Sequence, residues 1–145
     1  MDQDIDFYEL LRNSARLIRE GRFNELDAET LADELEAMSG SQRRELRSRL
    51  RQLIKHLLKW QYQPGRRSQS WINSIVNQRA EIEGLLKDSP SLKSLLPEIL
   101  KEAYEGARKD AAIETGLDVT VFPAECPYTI EQVLQGEFPP DTMEK

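Results

Sequence analysis

The chain is poor in the residues that usually do chemistry. It has one cysteine, Cys126, and one histidine, His56, among 145 residues. A single cysteine excludes an internal disulfide and fits a reducing compartment. One His and one Cys, with no His/Cys/Asp cluster, leave no metal site and no nucleophile–base pair to argue for. No apolar run approaches the ~20 residues of a membrane span. The N-terminus, Met1-Asp2-Gln3-Asp4-Ile5-Asp6, is acidic where a signal peptide would be basic. These features lead us to expect a soluble, cytoplasmic protein without a cofactor. Strand patterning is also scarce: only Val119-Thr120-Val121-Phe122 reads as briefly β-like. There is no repeat and no low-complexity segment.

Charge is abundant, and it is sorted. Charged residues make up 32% of the chain, with a net charge of −6. Residues 1–40 hold eleven acids and four bases, and residues 80–145 hold fourteen acids and six bases. Between them, residues 41–79 carry ten bases and one acid, Glu45. A basic middle lies between acidic flanks.

Helical periodicity dominates the rest. Asp6 can cap a first helix, with Ile5 and Leu10 as a hydrophobic staple and Gly21 as its stop. Its apolar positions are Phe7, Leu11, Ser14, Ala15 and Ile18. Asp27 opens a second helix with Leu31, Leu35 and Met38 on one face, expected to end at Ser39-Gly40-Ser41. A third, from about Gln42 to Tyr62, has the clearest stripe: Leu46, Leu50, Leu53, Ile54, Leu57 and Leu58. Pro64-Gly65 breaks it. A fourth spans about Ser70 to Lys87, with Ile72, Ile75, Ile82 and Leu86 inward. Pro90 begins a short turn of helix. A fifth long helix opens near Pro97 and stops at Gly116, with Ile99, Ala103, Ala107 and Ala111 buried. Thr129 and Gln132 form a capping box for a last short helix. The expected fold is all-α, a helical bundle of four main helices with additional short ones. By length it is one domain over residues 1–138, with a frayed tail over 139–145.

Several positions can carry function. Arg43, Arg47, Arg51, Lys55 and Lys59 stand at i, i+4 spacing and form one cationic stripe. Like charges at that spacing repel, so the stripe calls for an anion. That anion is a nucleic-acid phosphate backbone or an acidic helix of the same chain. Glu29, Asp33 and Glu36 offer one such helix, and Glu98, Glu102 and Glu105 another. The internal reading is favoured, since charge runs usually face water or one another and the pI is near 5.0. Arg66, Arg67, Ser68 and Ser70 precede the fourth helix and could hold a phosphate or carboxylate there. Capping by a serine, with the arginines paired to acids, is the more ordinary reading. Arg79 lies on an otherwise apolar face and requires a carboxylate. Glu34 is placed similarly on the second helix, and the two are expected to pair. Trp60, Tyr62 and Trp71 could offer an aromatic platform. Bracing the Pro64-Gly65 turn, with both tryptophans largely buried, is the favoured role.

Three blocks carry a resemblance. They are Leu57-Leu58-Lys59-Trp60-Gln61-Tyr62-Gln63-Pro64 through Arg67, Ser70 and Trp71; Asp88-Ser89-Pro90-Ser91-Leu92; and Glu114-Thr115-Gly116-Leu117 with Phe122-Pro123 and Cys126-Pro127-Tyr128-Thr129. With them the whole chain resembles the bacterial domain-of-unknown-function family twenty-nine. The resemblance implies an all-helical bundle and brings no reaction, ligand or catalytic residue.

The expected function is therefore a non-enzymatic, intracellular protein-interaction module whose partner is another protein. Nucleic-acid or anion binding through the 43–59 face and the Arg66/Arg67 turn is the alternative. An enzyme whose carboxylates converge only in three dimensions is the weaker one.

Overall fold

A computed structural model of the protein describes residues 6–137. Among them there is no strand, and the chain is all-α. The helices are α1 (Phe7–Arg19), α2 (Ala28–Tyr62), α3 (Gln69–Asp88), α4 (Leu96–Thr115) and the short α5 (Ile130–Leu134), with 3-10 turns between them. Among the described residues no helix is long and apolar enough to cross a membrane. The expected staple residue Ile5 and the tail 139–145 lie outside the described residues.

The helix ends follow the local chemistry. Asp6 Oδ1 accepts from Glu9 N–H at 2.8 Å, and Asp27 Oδ1 accepts from Thr30 N–H at 3.1 Å. Gly21 adopts φ 70° after α1, with Gly21 N–H donating to Ile18 and Arg22 N–H to Leu17, a Schellman stop. Thr129 and Gln132 satisfy each other's backbone N–H groups, the capping box expected from their spacing.

Two expectations are corrected. The second and third helices are one: α2 runs 35 residues without a break through Ser39-Gly40-Ser41. A glycine inside a helix costs only about 1 kcal/mol relative to alanine. The stretch contains no proline, and Gly40 is not among the glycines of positive φ. The β-like segment is a 3-10 turn, Val119–Val121, capped by Asp118.

The chain divides into two compact units, Met1–Gln42 and Arg43–Lys145. In the second, Leu46, Leu50, Leu53, Ile54, Leu57 and Leu58 are all at most 1% exposed, as the stripe required. They join Ile75, Ile82 and Leu86 of α3 and Ile99, Ala103, Ala107 and Ala111 of α4 in one core. Phe122 and Tyr128 plug the same core from the segment between α4 and α5. The first unit differs. On α1 only Ser14 and Leu17 are buried, while the expected core residues Phe7 and Ile18 are 47% and 44% exposed. Of the predicted positions Ser14 is buried, and Leu17, outside the predicted set, is buried with it. Leu35 and Met38 are also exposed.

Candidate functional site

The cationic stripe on α2 has its anions in the same unit. Arg43 meets Glu102 at 3.0 Å and Glu98 at 3.4 Å, and Arg47 meets Glu102 at 3.3 Å. Arg51 makes a two-pronged contact with Asp110, at 2.6 and 2.8 Å. Lys55 and Lys59 share Glu114, at 3.0 and 2.8 Å. Partner numbers rise together along both helices, so α2 and α4 run in the same direction here. The acids are Glu98, Glu102, Asp110 and Glu114. Glu105, expected among them, is exposed and is not one of the carboxylates that pair with the stripe. The i, i+4 line from Glu98 and Glu102 passes through Gly106 before reaching Asp110 and Glu114. That glycine interrupts the run in sequence and hides it from a short-range reading. It also makes room: a Cβ at Gly106 would lie 2.7 Å from Arg51 Cζ. The other expected partners, Glu29, Asp33 and Glu36, belong to the same unbroken helix as the stripe.

The ladder grades from wet to dry. Arg43, Arg47 and Arg51 are partly exposed, and pairs of that kind contribute about 0–1 kcal/mol each. The side chains of Lys55 and Lys59 are only 11% and 13% exposed. The hydrogen bond from Arg51 holds the Asp110 carboxyl below its usual range. Burial pushes Glu114 upward, but the hydrogen bonds from Lys59 and Lys55 outweigh it and the carboxyl ends lower.

Around the turn after α2 the two tryptophans part company. Trp60 is buried, with its indole N–H unpartnered among the described residues. The Arg67 guanidinium lies 4.8 Å from its ring centre, and Arg67 Nε donates to the Trp60 carbonyl at 2.8 Å. Trp71 is only half-buried, against the expectation of a core ring, with Lys59 Nζ 4.9 Å from its centre. Trp71 sits in the first turn of α3, where one flank of any side chain faces solvent. Replacing Trp71 by Ala is expected to lower stability by about 1–2 kcal/mol, measured by urea unfolding. A loss of 3 kcal/mol or more would mean a fully buried ring. Tyr62 packs edge-on against Phe122, ring centres 5.1 Å apart. The three aromatics therefore form no open platform together.

Ser68 holds the N-cap position of α3, but its side chain makes no capping hydrogen bond and lies 3.0 Å from Ser70 Oγ. Arg66 is exposed in the 3-10 turn Pro64–Arg66. Arg79 is half-buried on α3 and donates to the backbone carbonyls of Val133 and Gln132, at 2.9 and 3.1 Å. Burial lowers its guanidinium to about 10, which leaves it charged at neutral pH. The acid expected for it, Glu34, belongs to the first unit; within the second unit Arg79 has these carbonyls at the end of α5. That partner was invisible to sequence reasoning, because a backbone carbonyl has no residue type.

His56 is half-buried, with Nδ1 2.9 Å from the Gln52 carbonyl, and burial pulls it below the ordinary histidine value. Burial pushes the Cys126 thiol up, away from the reactive thiolate. Among the described residues no three His, Cys, Asp or Glu side chains cluster so as to hold a metal ion. A family described as a domain of unknown function, DUF29, matches residues 3–139. No curated protein and no solved structure matches the chain.

Proposed function

This chain belongs to the DUF29 family, and we propose that it serves as a non-enzymatic protein-interaction module. One observation carries the reading. The first unit leaves Phe7, Tyr8, Ile18, Phe23, Leu35 and Met38 between 44% and 71% exposed. So many large apolar side chains in 42 residues call for a protein surface to cover them. The half-buried free Cys126 fits work in a reducing cytoplasm.

The alternative, anion or nucleic-acid binding, draws on the basic 43–59 face and on the α3 N-terminus beside Arg66. The five cations of that face already meet carboxylates of α4, which argues against a phosphate reader. The test is fluorescence anisotropy of the 145-residue chain with labelled duplex DNA and single-stranded RNA across a salt series. We expect no saturable binding at 100 mM salt. Binding that falls by close to one log unit per log unit of salt for each phosphate contact, and that Arg47→Glu with Arg51→Glu abolishes, would establish the alternative instead.

A further inference from the structure

We propose that the partner of the first unit is a second copy of the same chain, so that two such units close into a four-helix layer pair. The inference rests on the interaction reading above. Two helices make one layer, and one layer cannot enclose a core. On α1, Phe7, Leu11 and Ile18 fall within about 40° of one another at 100° per residue. On the first half of α2, Leu31, Leu35 and Met38 fall within about 60° by the same count. Each helix thus offers an apolar seam, and α1 adds a groove of about 860 Å³ that Tyr8, Leu11, Arg12, Ala15 and Arg19 help line.

Two arguments select a second copy as the occupant. The first is area. The aromatic side chains Phe7, Tyr8 and Phe23 span about 150–250 Å² each; with Ile18, Leu35 and Met38 taken at the low end of that range, exposure by about half leaves roughly 600 Å² per chain. Two copies facing each other bury roughly 1,200 Å², the lower edge of a stable interface. The second is charge. The α1 seam is flanked by Arg12 and Arg19, and the α2 seam by Glu34. None of these three takes part in an ion pair among the described residues. In a twofold arrangement α1 of one copy lies against α2 of the other, and the basic flank meets the acidic flank twice. Glu29, Asp33 and Glu36 stand on the far side of α2 from the seam, so the acid excess of this unit points away from it.

Sedimentation velocity and light scattering of the full chain between about 1 and 100 µM test the proposal. The expected mass is twice the 16.8 kDa of one chain. Ile18→Glu with Leu35→Glu is expected to weaken association at least 100-fold. Tryptophan fluorescence, which reports only the second unit through Trp60 and Trp71, stays unchanged. Arg12→Glu with Arg19→Glu, and separately Glu34→Lys, each weaken self-association about tenfold, and mixing the two variants restores a dimer of one chain of each kind. A 16.8 kDa species throughout the range, a dimer that survives Ile18→Glu with Leu35→Glu, or charge variants that do not rescue each other would overturn the proposal. A monomer that binds no nucleic acid overturns the second copy and leaves protein interaction standing. A dimer that binds nucleic acid does the reverse.

Discussion

Replacing Phe122 by Ala is expected to lower stability by about 3–5 kcal/mol, the usual loss for a buried aromatic. Phe122 is 1% exposed and packs edge-on against Tyr62. Its removal opens a cavity where the segment between α4 and α5 meets the core. The backbone there cannot simply collapse inward. Arg108 Nε donates to the Phe122 carbonyl at 3.1 Å, the Tyr104 hydroxyl donates to the Pro123 carbonyl, and the Tyr128 hydroxyl donates to Gln61 at 2.6 Å. The neighbour Val121, 45% exposed, is the control: Val121→Ala should cost less than about 0.5 kcal/mol. Urea unfolding of both variants checks the pair. Equal losses would mean that Phe122 does not plug the core.

The second large effect is expected at Glu114. Glu114→Gln leaves the Lys55 and Lys59 ammonium groups, both nearly enclosed, without their shared counter-charge. A lost hydrogen bond to a charged group costs about 1.5–3 kcal/mol, and the partial exposure of Glu114 holds the loss near 2 kcal/mol. At the wet end of the ladder, Glu98→Gln should cost under about 0.5 kcal/mol. The same carboxylates set a pH dependence. Asp110 and Glu114 are both held below their ordinary values in the folded state. Their contribution is therefore complete above the unfolded carboxylate range and is lost as pH falls through the folded values. Thermal unfolding followed from pH 7 down to pH 3 should show this loss, with a shallower slope in Glu114→Gln. Identical slopes would remove Glu114 as a source of acid sensitivity.

Legibility varied with the range of the interaction concerned. The apolar stripe Leu46–Leu58 was readable because helical spacing alone puts six large side chains on one face, and any core would take them. The caps at Asp6, Asp27 and Thr129 were readable because donor and acceptor lie three residues apart. The boundary at Ser39-Gly40-Ser41 misled. Glycine and serine weaken a helix by amounts too small to stop it, and neighbouring turns decided the matter. On α1 the same arithmetic chose Phe7, Ser14 and Ile18, yet only Ser14 of these is buried, together with Leu17, since an amphipathic face is broader than its contact.

The candidate site followed the same division. The sequence by itself determined that five cations would lie on one helix face, because i, i+4 spacing needs nothing beyond the helix. It also determined that they would need anions. Only the tertiary structure decided which anions, because the partners are 55 to 59 residues away and their line passes through a glycine. It likewise decided that Arg79 meets backbone carbonyls, that Trp60 is buried while Trp71 is only half-buried, and that Phe7, Ile18, Leu35 and Met38 are exposed. Each of those outcomes depends on what a neighbouring segment brings to the side chain, and no local pattern encodes that.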